Sequence, residues 1–418
     1  MLPIRVRRKP MEFADEGFEF LPDNCKVEEE TLNYPPGHYY PVRLGELFKL
    51  RFQVVAKLGF GHRATVWLCR DLVDLGHFAL KIYSASPHPP EQSREVVASR
   101  IINRTHGDHP GRERMRVVLD YFQIMGPRGR HLCLLYEPQG MSIREFRDHI
   151  PERMLTKNML QCTLVYTLLA LDYLGKAGVV HAHITPANIL VGIADQQEVF
   201  ERVETEELQN PSARKVLPDG TEIYVSRRFP LTFGPTVLCD FAHARYGRRM
   251  HTGDVMPDSY RAPEVILGME WDSKVDIWSL GVMIWHLFEG GRLFYGEADR
   301  PMEDEELLAQ MVSLMGPPPR HFLGRSRKCR QYWDRDGNWI GATRIPRQSF
   351  ETREGRLSRQ DKALFLTFIG KIFRWDPDER ASPEQLLGHD AFLAQCNLIR
   401  NRQWESRRSP DNKRDSKA

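Results

Sequence analysis

Val54-Val55-Ala56-Lys57-Leu58, Gly59-Phe60-Gly61-His62-Arg63-Ala64-Thr65-Val66, Trp67-Leu68 and, after a break, Phe78-Ala79-Leu80-Lys81-Ile82-Tyr83 form the stretch on which the reading of this chain turns. Val54, Val55 and Leu58 lead into a glycine turn, and the residues beyond it predict two further strands. Glycines carry no side chain, so backbone N–H groups at Gly59 and Gly61 can come close to an anion. Taken alone, such a loop is an ordinary hairpin. Lys81 changes that reading, because an ammonium inside an apolar strand is costly to bury unless an anion meets it. A lone lysine at a strand edge is the plainer alternative.

Outward from this stretch, Pro87 to Pro90 breaks the chain and Glu91 to Ile102 predicts a helix with Glu95, Ala98 and Ile102 on one face. After Tyr136-Glu137-Pro138 the pattern turns helical: Leu160, Leu164, Thr167, Leu171 and Leu174 mark a buried stripe. Ile277 to Trp285 is apolar nearly all round, as expected of an internal helix too short to span a membrane. The expected class is therefore α+β, with a small strand-rich part meeting a larger helical part near residue 137.

The expected organisation is an extended arm over 1–45, a domain over 46–395, and a basic tail over 396–418. Within the domain, 46–136, a connection at 137–140 and 141–395 follow one another, with a surface insertion over 191–236. From Arg400 the tail carries seven basic residues against three acids, a composition that predicts disorder. Across all 418 residues, hydrophobic content of 41% and charged content of 28% describe an ordinary globular protein. The net charge of +3 gives no global case for binding nucleic acid or membrane. Seven scattered cysteines with no Cys-x-x-Cys pair suggest free thiols in a reducing compartment and no zinc site. No apolar run reaches bilayer length, and Arg5, Arg7, Arg8 and Lys9 precede acids rather than an apolar core, so no leader is expected.

Chemistry-bearing residues recur downstream. Asp240-Phe241-Ala242 follows the apolar strand Val237-Leu238-Cys239, and a carboxylate at a strand end suits Mg²⁺, which takes few protein ligands. Ala262-Pro263-Glu264 comes next, with Glu264 twenty-four residues beyond Asp240. Asp276 stands before Trp278-Ser279-Leu280-Gly281, and Arg380 ends Trp375-Asp376-Pro377-Asp378-Glu379-Arg380. Upstream lies His181-Ala182-His183-Ile184-Thr185-Pro186-Ala187-Asn188.

This ordered set resembles the eukaryotic protein-kinase fold from about residue 50 to residue 395. Within that superfamily three segments resemble the SR-protein kinases, which phosphorylate Arg/Ser-rich splicing factors. They are Leu58 to His62 with Thr65 to Leu68, Tyr260 to Gly268 and Val275 to Gly281, with Gly316-Pro317-Pro318-Pro319 and Gly337-Asn338-Trp339 in addition. The resemblance implies an antiparallel β-sheet N-lobe with one main helix and a larger, mainly helical C-lobe. It implies ATP and Mg²⁺ as cofactors, with Lys81 on the α- and β-phosphates and paired with Glu95. Leu58, Gly59, Gly61, Val66 and Ala79 would line the nucleotide. Tyr136 would be the gatekeeper, and Glu137 to Gln139 the hinge that hydrogen-bonds adenine. Asn188 and Asp240 would hold the metal. Asp276 is expected to accept hydrogen bonds from the catalytic-loop backbone, and Arg380 to pair with Glu264. The acidic run Glu303-Asp304-Glu305-Glu306 reads as a solvated helix start, with docking of a basic peptide as the alternative.

Four positions depart from the pattern. The catalytic Asp of the family is His183, its Lys is Thr185, the Gly after Asp-Phe is Ala242, and Ala64 replaces the third glycine of the loop. The missing Asp would accept the substrate hydroxyl's proton, assistance worth ~10²–10⁴ in rate. Loss of one electrostatic contact to the moving phosphoryl group costs on the order of 10²–10³. Both act on one transition state and do not multiply. If position 242 needs a positive φ, Ala242 adds strain that biases the loop. Two readings stay open: a serine/threonine kinase with weakened catalysis, acting on a protein that is Arg/Ser-rich by resemblance, or a pseudokinase that serves as a nucleotide-binding scaffold. Either is expected to be a monomer in the cytoplasm, the nucleus or both, with no nucleic acid or membrane partner.

Overall fold

The computed structural model describes residues 8–14, 16–32, 38–86, 92–295 and 303–396. The break at 87–90, the helix start expected at Glu91 and the tail from 397 onward lie outside the described residues. The chain divides into two units, one made of 1–99, 116–141 and 191–234, the other of 100–115, 142–190 and 235–418.

The first unit is built on a six-stranded antiparallel sheet: β1 (Leu47–Phe48), β2 (Phe52–Gly61), β3 (Ala64–Asp71), β4 (His77–Tyr83), β5 (Asp120–Gly126) and β6 (Gly129–Tyr136), in the order β1-β2-β3-β4-β6-β5. Gly59 pairs with Val66 and Gly61 with Ala64, so His62 and Arg63 form the tip of the β2–β3 hairpin. Side chains alternate between faces along a strand. Leu80 and Ile82 therefore enter one core cluster with Val54, Trp67 and Leu135. Ala79 faces the other way, into a cluster with Val96 of the helix Arg94–Arg104. Lys81 shares the parity of Ala79, which turns its ammonium toward that helix. Glu95, Ala98 and Ile102 are buried on it, as their spacing predicts.

The segment expected as a surface insertion is anchored in this unit. The helix Gln196–Gln209 buries Phe200 and Val203 against Val55, Ala56 and Leu68, so only its other face is solvated. The arm also lies along the unit. Met11 N–H donates to Gln53 Oε1 at 2.8 Å, and Glu28–Thr31 forms a 3-10 turn rather than extended chain.

The second unit is mainly helical. Thr156 caps the helix Lys157–Ala177 and Gly178, at φ 67°, ends it. The expected stripe is buried, but so are Gln161, Val165, Leu168, Ala170 and Tyr173, because neighbours cover more than one face. The helix Lys274–Phe288 is enclosed nearly all round. A Cβ at Gly281 would lie 2.6 Å from Ile372 Cγ2, so only glycine allows that close approach of the helix Arg359–Ile372. Arg380 and Glu264, both with no exposed surface, pair through two contacts of 2.6 Å. Among the described residues no helix is long and apolar enough to cross a membrane.

Candidate active site

Lys81 and Glu95 meet in the first unit at 2.6 Å between Nζ and Oε1, with Glu95 2% exposed and the lysine side chain 19% exposed. The second oxygen of Glu95 accepts the Tyr136 hydroxyl. Burial, then the Glu95 charge, push the Tyr136 phenol well above its ordinary value, so it stays protonated and donates. Leu58, Val66, Ala79 and Tyr136 converge in one apolar cluster around this pair. Glu137 follows on exposed backbone; its carbonyl accepts from Arg116 Nε at 2.9 Å and its carboxylate from Gln196 Nε2 at 2.9 Å. Gln139 is half-buried. A Cβ built on Gly59 meets nothing within 4 Å, so the backbone there is bare toward open space. Bare backbone and a reachable ammonium in one unit form a donor set suited to phosphate oxygens.

In the second unit Asp276 fixes the segment that carries His183. Its carboxylate accepts from His181 N–H at 2.8 Å and Ala182 N–H at 2.7 Å, as expected. The fully buried His181 donates from Nε2 to the Cys239 carbonyl at 2.9 Å, which leaves Nδ1 to accept from His183 N–H at 3.2 Å. Burial pushes His181 down to about 4, so this neutral tautomer holds at physiological pH. Asn188 Nδ2 donates to the His183 carbonyl at 2.9 Å, and the Asn188 carbonyl accepts from Cys239 N–H at 2.9 Å. The segment 181–188 and the strand end at Asp240 are thus laced into one piece. Thr185 is extended, at φ −147°, and leads into the turn Pro186–Asn188.

Asp240 sits in the left-handed region at φ 67°, as does Ala182 at φ 61°. Such backbone is uncommon for non-glycine residues and persists where surroundings over-determine it. The expectation of strain at Ala242 is corrected. That residue lies in the right-handed 3-10 turn Phe241–His243 and is not among the positive-φ positions, so its methyl group costs nothing there. Phe241, 2% exposed, packs against the His181 ring at 5.1 Å.

His183 occupies the position where a carboxylate was expected. Its ring meets His243 edge to face at 4.7 Å, and its Nδ1 is buried without a hydrogen-bond partner. Burial first and His243 second lower its pKa, against the Asp240 charge. The group is therefore a neutral imidazole and a weaker base than a free one. Among the described residues no three His, Cys, Asp or Glu side chains gather as a metal cage. Asn188 and Asp240 fit an ion that takes most of its oxygens from substrate and water.

Sequence reasoning missed three features. Lys57, 1% exposed, contacts Glu28 at 2.8 Å and Glu29 at 2.7 Å and donates to the Tyr224 carbonyl at 2.8 Å. The Tyr39 hydroxyl donates to the Gly61 and His62 carbonyls at 2.9 and 3.1 Å. A lysine inside Val54–Leu58 was the available signal for the first; nothing local marks Tyr39. His243, the third, stands two residues beyond Phe241 without any spacing to announce it. The acidic run at 303–306 is not free surface either: Asp304 pairs with Arg261 and Lys328, each at 3.0 Å, and Glu305 accepts from Thr343 N–H at 2.6 Å.

Comparison with known proteins accords with this geometry. The family model described as "Protein kinase domain" matches residues 232–392. A serine/threonine protein kinase of Aspergillus fumigatus is 41% identical over 386 residues, covering 90% of this chain and 94% of the relative. The serine/threonine-protein kinase SRPK of Physarum polycephalum is 27% identical over 387 residues, covering 87% and 90%. A crystal structure of a kinase domain aligns with TM-score 0.64 at 24% identity, over 86% of this chain and all of that one, a likeness of fold. The α+β architecture, the paired Lys81 and Glu95, and a relative of this identity over nearly the whole length make the chain a member of the serine/threonine protein kinase family.

Proposed function

We propose that this protein binds ATP with Mg²⁺ and transfers phosphate to protein serine or threonine slowly, because the catalytic carboxylate and lysine of the family are His183 and Thr185. One observation carries the reading: the Lys81–Glu95 pair is intact at 2.6 Å while His183 offers a neutral ring with a buried, unpartnered Nδ1. Lys81, with backbone at Gly59 and Gly61, would hold the phosphates, and Leu58, Val66, Ala79 and Tyr136 the base, with Glu137 to Gln139 as its hinge. Asn188 and Asp240 would hold the metal. The nucleotide supplies the phosphoryl group and the metal neutralises its charge.

His183 can accept the hydroxyl proton, since a neutral imidazole is a base. Its lowered pKa reduces the driving force, and it brings no negative charge to orient the hydroxyl. Thr185 adds no positive charge for the moving phosphoryl group. Asp276 and His181 hold this loop in place without touching substrate. Likeness to the SRPK relative supports an Arg/Ser-rich peptide as the first acceptor to try.

The test is labelled ATP, Mg²⁺ and such a peptide with the purified protein. Transfer above background that Lys81→Met abolishes supports the kinase reading. No transfer by the natural protein, with transfer restored by His183→Asp and Thr185→Lys together, rejects it in favour of the second reading. That reading is a pseudokinase scaffold, favoured by the same imidazole.

A further inference from the structure

Outside the catalytic loop, the second unit holds a group of cationic and donor side chains, Arg147 and Tyr260 buried and Arg292 at the surface, with no anion paired to it among the described residues. Arg147, 8% exposed, donates from Nε to the Arg153 carbonyl at 2.6 Å, from Nη2 to the Gly290 carbonyl at 3.4 Å, and from Nη1 to His286 Nε2 at 2.8 Å. None of these acceptors carries charge. The carboxylate that acts on it, Asp148, is spent on Arg153. His286 accepts with Nε2 and so is neutral; burial, then Arg147 and Arg292, push it down to about 4. Arg292 is exposed, and among the described residues its guanidinium has no partner.

Tyr260 completes the group. It is 9% exposed, lies within electrostatic reach of Arg147 and Arg292, and its hydroxyl has no hydrogen-bond partner. Its position in sequence, directly before Arg261-Ala262-Pro263-Glu264, puts it on the segment that follows Asp240.

A buried guanidinium without a counter-charge is unfavourable, and an unpartnered buried hydroxyl adds to that penalty. An oxyanion relieves both at once, because a guanidinium fork and a phenol donate to phosphate or carboxylate oxygens. A cation would meet two arginines and only donors. We propose that Arg147, Arg292 and Tyr260 receive an anionic side chain, a phosphorylated serine or threonine or else a carboxylate, on the polypeptide that this protein modifies or holds. The inference rests on the reading that a protein is engaged, and it adds what that protein carries beside its acceptor residue.

The experiment reads binding rather than turnover. Fluorescein-labelled peptides with a central Ser and one flanking position fixed in turn as phosphoserine, Glu, Ala or Arg are titrated with the full chain, without nucleotide, by anisotropy. At one flanking position phosphoserine should bind about tenfold tighter than Ala, the gain of a charge-assisted contact. Glu should fall between, and Arg should bind more weakly than Ala. Arg292→Glu, a change at an exposed side chain, should erase the preference. His286→Glu, which gives Arg147 an internal carboxylate, should do the same. Equal binding of the phosphoserine and Ala peptides at every position, or a preference that survives both variants, overturns the proposal. Phosphate transfer is assayed separately: transfer without anion preference removes only this inference, and anion preference without transfer removes only the catalytic reading.

Discussion

His183 and His243 face each other edge to face, 4.7 Å between ring centroids, on two segments that Asp276, His181 and Asn188 lace together. A carboxylate at position 183 would face the His243 ring, whereas the imidazole there has its pKa lowered by burial and by His243, with the Asp240 charge acting the other way. Replacing it tests what the departure costs.

His183→Asp together with Thr185→Lys should raise the initial rate of phosphate transfer by at least ~10², the lower bound of general-base assistance. The rate is measured at saturating ATP, with Lys81→Met in the same background as the zero. A rate unchanged by the double substitution would mean that the departures at 183 and 185 do not limit transfer.

Lys81→Met should abolish binding of Mg²⁺-ADP by titration calorimetry. Tyr136→Phe, which keeps the Lys81–Glu95 contact, should leave that affinity within about threefold while lowering unfolding stability by about 1.5–3 kcal/mol, the worth of a hydrogen bond to a charged group. Equal loss of affinity in both variants would show that Tyr136, not Lys81 alone, governs the nucleotide.

Tyr39 holds the tip of the β2–β3 hairpin through the Gly61 and His62 carbonyls. Tyr39→Phe frees both and should speed amide hydrogen exchange over residues 59–66, with a global stability change of at most about 1.5 kcal/mol. Unchanged exchange there would mean that strand pairing alone fixes the loop.

The Lys81–Glu95 pair was legible because the resemblance named both partners, and helix spacing put Glu95 on one face with Ala98 and Ile102. Asp276 and Arg380 were legible because the resemblance gave their roles. Lys57 was not: Glu28 and Glu29 lie far back in the chain, and an acidic run usually signals solvent. The buried face of 196–209 was hidden by charge, since Phe200 and Val203 are outnumbered by Glu201, Glu204, Glu206 and Glu207. At Ala242 a rule about glycine was carried over without its backbone angle, while the positive φ angles lie at Ala182 and Asp240. Arg147, His286, Arg292 and Tyr260 come together only in three dimensions, and no spacing links them.

Glu264→Gln should destabilise the second unit by about 3–5 kcal/mol, because it leaves the buried Arg380 guanidinium with no negative charge and one side-chain acceptor where there were two. Denaturant melts give the value. Replacing both residues with apolar ones of similar size should cost less than the single change. A single change as mild as the double would mean that the backbone carbonyls of Arg374, Lys274 and Trp375, which also accept from Arg380, suffice to hold it.

Acid should destabilise the folded chain through its buried imidazoles. His181 and His286 are both pushed down to about 4 from an ordinary 6.5. Between those values the unfolded chain takes up protons that the folded chain refuses, so stability falls as pH drops through that window. Asp276 runs the other way. Burial pushes its carboxyl up to about 7, so its contribution is present below the ordinary 3.8 and is lost as pH rises through the same range. Two imidazoles outweigh one carboxyl, and the net slope is loss toward acid. His286→Gln removes one of the two without touching the catalytic loop. Relative to the natural chain it should gain about 2 kcal/mol between pH 6.5 and pH 4, discounted for partial exposure of the ring. Urea midpoints at four pH values across the window supply the comparison. A difference that stays constant with pH would show that His286 titrates normally in the fold and that Arg147 does not hold it neutral.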